Sequence, residues 1–263
     1  MSFEKYSIIK IDLRGQVVRV ILNRPDVRNA FNETMISEIS RAFKIINSHP
    51  DLRIVVLTGE GNAFCAGADL NWMKGVINYS YEENLQDSQN LAQMFELMSA
   101  CPLPLIARVN GPAIGGGTGM VAVCDIVIAS EKAVFSLSEV KLGLVPACIS
   151  PYVIRRMGDK NCREYFLTGE RLTAEKALTA GLVNQVVPES KLDEAVEQLI
   201  SRLISSGPKA LAWCKQLLAK VPSMNEKDAG AYTAEVITRL RMSEEGQEGM
   251  KAFFEKRKPK WCE

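Results

Sequence analysis

LIARVNGPAIGGGTGMVAVCDIVIAS, residues 105–130, joins a β-branched run, a glycine loop and a second apolar run. At its centre, AIGGGTG (113–119) places four glycines in seven residues. Glycine loses more backbone freedom on folding than any other residue, so the loop must use something only glycine supplies. A phosphate cradle is one use, but the spacing opposes it. No GK[ST] follows, and offset 5 from Gly115 or Gly117 falls on Met120 or Ala122 instead of a glycine. Close packing is a second use, since Gly115 and Gly119 stand four apart and would let another backbone approach. The third use is chemical. Gly115–Gly117 follow a strand and open a helix, so their N–H groups are free and sit at the positive end of the helix dipole. Such an amide can meet a developing oxyanion, and a side chain there would block the substrate.

A second loop has the same layout. NAFCAGADL (62–70) follows the strand-like RIVVLTG (53–59) and precedes a helix with Asp69 as its N-cap. Ala68, just before it, has a free N–H. Two such amides from parallel units can converge on one oxygen, and each donor is worth about 10²–10³ in rate.

Outward from these loops the pattern is regular. QVVRVILN (16–23) reads as a strand, and FNETMISEISRAFKIINS (31–48) as a helix capped by Asn32. Residues 82–100 read as a helix, LIARV (105–109) and DIVIAS (125–130) as strands. Strand, loop and helix recur three times, which predicts α/β layering around a buried sheet. From about residue 160 helices dominate, with one strand-like piece at VNQVVP (183–188) and a helical reading of EKDAGAYTAEVITRLRMSEEGQEGMKAFFEKRK (226–258). MSFEKYSIIKIDLRG at the start alternates like a strand and lacks a signal core or transit character.

Composition excludes several classes. The 263 residues carry a net charge of +1, so no overall field draws the chain to nucleic acid or an anionic membrane. The seven cysteines form no C-x-x-C pair, which favours reduced thiols, a cytoplasmic setting and no zinc site. One histidine, His49 before Pro50, leaves little support for a Ser-His-Asp triad or a histidine metal site; it reads as a turn residue. Cys65 has no histidine to activate it and reads as an inert small residue.

FCAGADL (64–70), VNGPAIGGGTG (109–119) and CDIVIASEKAVFSLSEVKLGLVP (124–146), in that order and spacing, resemble the enoyl-CoA hydratase/isomerase, or crotonase, superfamily. NRPDVRNAF (23–31), AEKALTAGLVNQVVP (174–188) and FFEKRKPKW (253–261) extend the likeness over nearly the whole chain. The resemblance implies an α/β fold, a spiral of repeated ββα units over 1–200, with a C-terminal helical region over 201–263 for oligomerisation and completion of the CoA site. It implies homotrimers or dimers of trimers. The oxyanion amides fall on Ala68 and Gly116, and the proton-transfer acid on Glu139. No metal or separate cofactor is implied, because coenzyme A arrives as part of the acyl-CoA substrate. Arg24, Arg28 and Ala30 match the segment that binds the nucleotide, and Ala66 the carbonyl that receives the adenine amine. Phe253 and Lys256 match a tail that reaches a neighbour's nucleotide. Read alone, the arginines are equally solvated charges and the basic tail a solvated one.

Many relatives carry a second glutamate where this chain has Gly119. An enoyl-CoA hydratase working with Glu139 alone is the first expectation. LSEVKLGLVPACISPYV (137–153) resembles bacterial methylglutaconyl-CoA hydratases, whose substrate ends in a carboxylate; Arg155, Arg156 and Lys141 are the candidates to meet it. An enoyl-CoA isomerase with Glu139 as sole proton shuttle is the alternative. A non-catalytic CoA- or RNA-binding homologue is a third.

Overall fold

The computed structural model describes residues 5–262; the first four residues of the opening strand-like run lie outside them. Two strands, β1 (Ile9–Arg14) and β2 (Val17–Leu22), form an antiparallel hairpin. Helix α1 (Glu33–Ser48) follows, with Asn32 Oδ1 accepting from the Met35 N–H. Strand β3 (Ile54–Gly59) pairs parallel to β2 and leads into α2 (Leu70–Val76) and α3 (Tyr81–Ser99). Ser80 and Glu83 close a reciprocal capping box at the start of α3.

Next come two repeats of one design. Strand β4 (Leu105–Val109) is followed by the two-residue β5 (Ala113–Ile114) and α4 (Gly116–Val123). Strand β6 (Ile126–Ser130) is followed by β7 (Val134–Ser136), a 3-10 turn over Ser138–Leu142 and α5 (Ser150–Thr168). In each unit the first strand joins the large sheet and the second joins a small one. The large sheet has the order β1-β2-β3-β4-β6-β9 and the small one β5-β7-β8, where β8 is Arg171–Thr173 and β9 is Gln185–Val187, separated by α6 (Ala174–Thr179). This is the spiral of ββα units that the crotonase resemblance implies.

The large sheet is covered on both faces, as parallel strands require. Val55 and Leu57 of β3 face the main core with Phe43, Phe64 and Phe95. Ile54 and Val56 alternate to the other face, against Leu192, Val196 and Ile200 of α7 (Leu192–Ile204). Position 200 is thus inside a helix that still covers the sheet.

Three helices complete the chain: α8 (Pro208–Lys220), α9 (Glu226–Met242) and α10 (Glu244–Phe254). The single helical run expected over 226–258 breaks at Ser243, whose extended backbone ends α9 while its Oγ accepts from Gly246 N and caps α10. These helices are tied to the core by polar contacts. Lys215 pairs with Asp125, and the buried Arg53 donates to the Trp261 and Ser206 carbonyls. Their own burial is slight, and Leu218, Met242, Phe253 and Phe254 are each at least 74% exposed.

The N-terminal strand depends on one carboxylate. Glu38 on α1, 3% exposed, accepts from the amides of Ser7, Ile8 and Ile9 and from the Ser7 hydroxyl. Burial alone would raise its pKa, but these hydrogen bonds hold it below the ordinary carboxylate value. Glu38→Ala should cost about 1–3 kcal/mol in urea unfolding at pH 7, because it strands three amides. A native pKa below the unfolded one stabilises above the unfolded value and is lost as pH falls through the native one, so the deficit should shrink below about pH 4. A deficit that does not change with pH would contradict this role.

Candidate active site

The NRPDVRNAF segment builds the floor. Arg28 and Asn29 adopt left-handed backbone (φ 52° and 56°), which turns the chain sharply after a 3-10 turn at Pro25–Val27. Asn29 is fully buried, and its Nδ2 donates to the carbonyls of Glu60 and Ala63, each at 2.9 Å. This side chain fastens the segment beneath the second glycine loop. Backbone bonds finish the join: Ala66 N to Arg28 O, Phe31 N to Gly67 O and Asp69 N to Phe31 O, all 2.9 Å. The last two make a parallel bridge between Phe31 and Ala68. In that pattern the Ala68 N–H points away from Phe31, and it has no hydrogen-bond partner among the described residues.

The first glycine loop lies directly against this floor. Ile114 N donates to Cys65 O at 2.9 Å, and Cys65 bridges to Ala113. Gly115 caps α4 with φ +54°, and Gly116 is the helix's first residue, so its amide has no carbonyl to reach within the helix. The approach is too close for side chains. A Cβ on Gly116 would meet the Phe31 ring at 2.5 Å, and one on Gly117 the Cys65 carbonyl at 2.4 Å. Phe31 therefore separates and joins the two amides: its backbone aligns Ala68, and its ring packs on Gly116. The ring also packs against Trp72, with centroids 5.6 Å apart and planes tilted by 58°.

Glu139 completes the group. It sits in the 3-10 turn after β7, with Oε1 3.2 Å from where a Gly115 Cβ would stand. Its Oε2 is buried without a hydrogen-bond partner, and burial raises its pKa. The fold thus brings Ala68, Gly116 and Glu139 into one cluster.

The other expected residues are placed as follows. Arg24 donates to Ala30 O at 2.6 Å and to Asp69 Oδ2 at 2.8 Å, joining the floor to the α2 N-cap. Asp69 is held below the ordinary carboxylate value: burial opposes this, and the Asn71 amide and Arg24 outweigh it. Arg28 is exposed and Ala66 half-buried beside it. Phe253 lies at the end of α10, which packs on α9, and Lys256 two residues beyond the helix; among the described residues no hydrogen bond or ion pair joins either side chain to the Arg28–Ala66 segment. Cys65 is buried, its thiol pushed up to about 12. Arg156 is no candidate for a substrate carboxylate. Its guanidinium donates to the carbonyls of Leu182 and Cys124 and to Asn184 Oδ1, clamping the C-terminal end of α4. Arg155 and Lys141 are both exposed at the surface.

Gly119 has a steric reason. A Cβ there would lie 2.2 Å from Ile149 Cγ2 and 3.2 Å from Phe95 Cζ. Ile149, 3% exposed, fills the space where a side chain at 119 would begin. Ile149, Phe31 and Asn29 carry no chemical signature in the sequence; only tertiary contact reveals their part.

The profile of the enoyl-CoA hydratase/isomerase family matches residues 12–263. The chain belongs to that family. A putative enoyl-CoA hydratase of Thermus thermophilus is 36% identical over 248 residues, covering 94% of this chain and 98% of that one. A 2,3-dehydroadipyl-CoA hydratase of Escherichia coli is 34% identical over 250 residues, covering 95% and 96%. Among solved structures, an enoyl-CoA hydratase from Shewanella pealeana superposes with a TM-score of 0.94 at 42% identity, covering 98% of this chain and 97% of that one. The protein is an enzyme of the enoyl-CoA hydratase type with the crotonase fold, and its substrate is an acyl-CoA thioester. Among the described residues no helix is long and apolar enough to cross a membrane.

Two substitutions test the site's packing and charge. Gly119→Glu should lower the unfolding free energy in urea titration by the cost of overpacking, about 1–3 kcal/mol or more. Adding Ile149→Ala to it should recover part of that loss, and additive losses would remove the steric account. Glu139→Gln removes a carboxylate whose native pKa is raised. Such a group weakens the fold above its native pKa, so the variant should match or exceed wild-type stability at pH 8, with the gap closing toward pH 4. A variant less stable at every pH would show that the carboxylate is structurally paired.

Proposed function

We propose that the protein hydrates a 2-enoyl-CoA thioester with Glu139 as its only proton carrier. The observation that carries this reading is the cluster itself: a partly buried carboxylate with one oxygen unpaired among the described residues, beside two free amides. The thioester oxygen accepts from Ala68 N–H and Gly116 N–H. Water attacks C3 as the ionised Glu139 takes its proton, and the double-bond electrons move to the thioester oxygen as an enolate. Glu139 then returns the proton to C2 on the same face. The product is the 3-hydroxyacyl thioester, and the carboxylate is restored. A raised pKa suits a group that must both take and give a proton near neutrality. With Ile149 packed at Gly119, a second acid there has no room.

The acyl group is proposed to end in a polar function, with methylglutaconyl-CoA the first compound to try. The stretch LSEVKLGLVPACISPYV supports this, as does the Escherichia coli relative, whose named substrate has a carboxyl group at its far end. For the nucleotide, Arg28 and the Ala66 carbonyl stand exposed or half-exposed at the edge of the site beside Arg24 and Ala30. Phe253 and Lys256 would come from a neighbouring subunit in a trimer or dimer of trimers. The exposed Phe253, Phe254, Met242 and Leu218 support such an assembly, since a helical region this apolar needs cover.

One observation favours a second reading. With a single carboxylate the same cluster can move a proton between C2 and C4 of a 3-enoyl thioester, as an isomerase does. A spectrophotometric panel separates the two. Trans-2-enoyl-CoA esters, methylglutaconyl-CoA among them, should lose the conjugated-thioester absorbance; its appearance from a 3-enoyl-CoA alone would establish the isomerase. Silence with every ester would overturn both. Glu139→Gln should lower kcat by about 10²–10⁴ while acyl-CoA binding stays near wild type.

A further inference from the structure

The hydratase reading needs the Gly116 amide and the Glu139 carboxylate at a fixed separation, yet neither is held directly. Gly115, the N-cap of α4, has no side chain to cap the helix. Among the described residues Glu139 Oε2 has no hydrogen-bond partner, and the carboxylate's own hydrogen bond is to the Glu139 backbone, so the turn after β7 that carries that backbone places it. The strands that carry the two groups, β5 and β7, pair over only Ala113↔Phe135 and Ile114↔Ser136. A two-pair ladder is a thin joint for groups that must not drift.

One buried side chain reinforces that joint. Thr118, 1% exposed, lies in the first turn of α4, two residues past Gly116. Its Oγ1 stands 2.7 Å from the Ala113 carbonyl and 2.9 Å from the Ser136 carbonyl, and it accepts from Ser136 N at 3.4 Å. A hydroxyl has one proton, so it donates to one of these carbonyls at a time while its lone pairs receive the amide. Gly115 N donates to the same Ser136 carbonyl at 2.8 Å. Ser136 is therefore gripped from two points of the glycine turn. Three residues later the chain reaches Glu139, through the fully buried Leu137, which leaves little slack.

We propose that Thr118 is a positioning residue whose hydroxyl locks the turn bearing the Gly116 amide to the strand leading to Glu139, and so sets the distance between oxyanion donor and proton carrier. The inference rests on the hydratase reading. Its mechanism is geometric: a displacement of about 1 Å at a reacting group can cost about 10² in rate. Thr118→Val keeps the branched shape and removes the hydroxyl, while Thr118→Ser keeps the hydroxyl and removes a methyl.

The test combines kinetics with carbonyl infrared spectroscopy of bound butanoyl-CoA, which is saturated and cannot react. In wild type the thioester C=O stretch should fall on binding, because two amides polarise it. Thr118→Val should lose most of that fall, with kcat about 10- to 100-fold lower and KM within about threefold. Thr118→Ser should restore both. If Thr118→Val does not fold, Thr118→Cys, close in size and a weak hydrogen-bonder, should show the same loss in lesser degree. A folded Thr118→Val or Thr118→Cys with wild-type kcat and carbonyl shift overturns the proposal. So does a loss that follows the folded fraction alone and is not rescued by serine. A wild-type protein that binds butanoyl-CoA without shifting its carbonyl overturns the hydratase reading, and the clamp's purpose with it.

Discussion

The proposed chemistry requires two backbone amides, from Ala68 and Gly116, to reach one place from loops belonging to different ββα units. The floor segment answers half of this demand, because the Phe31–Ala68 bridge turns the Ala68 N–H away from its neighbours. Glycine answers the other half. At Gly116 and Gly117 any Cβ would run into Phe31 or the Cys65 carbonyl, so the loops can touch only if they are bare. Each glycine costs about 0.5–1 kcal/mol in chain entropy relative to alanine in ordered structure. One well-aimed oxyanion donor is worth about 2.7–4 kcal/mol in the barrier. On those magnitudes the proposed oxyanion role would outweigh what a glycine-rich loop costs the fold.

Two glutamates show how local hydrogen bonding decides a carboxylate's task. Glu38 and Glu139 both lose water to the protein. Glu38 receives three amides and a hydroxyl, stays charged and anchors a strand. Glu139 receives nothing at Oε2 and is pushed toward its protonated form. The first arrangement stabilises the fold; the second costs stability and leaves the group free to exchange a proton. A carboxylate oxygen left without a partner beside free amides is thus an asset only if a substrate arrives.

Much of this could be read from residue order, and the limit is set by contact range. Local signals held: Asn32 and Asp69 cap their helices, LIARV is β4, and the glycine loop opens α4. Strands of two or three residues, such as β5, β7 and β8, are too short to show periodicity, so the small sheet was visible only through the family likeness. The break at Ser243 is hidden in the sequence because the flanking residues stay helix-forming on both sides and only a capping hydroxyl marks it. In the sequence Arg156 reads as a candidate for a substrate carboxylate. A charged residue and a buried clamp look alike until Cys124, Leu182 and Asn184 converge on it. Gly119 stands out against the family pattern, but its cause, Ile149, lies thirty residues away in the chain.

A crystal structure of the protein with an unreactive saturated acyl-CoA bound tests the central claim most directly. The account predicts the thioester oxygen at about 2.7–3.1 Å from both Ala68 N and Gly116 N, with the Glu139 carboxylate facing C2 and C3. A thioester oxygen bound elsewhere, or a Glu139 turned away from the acyl chain, would contradict it.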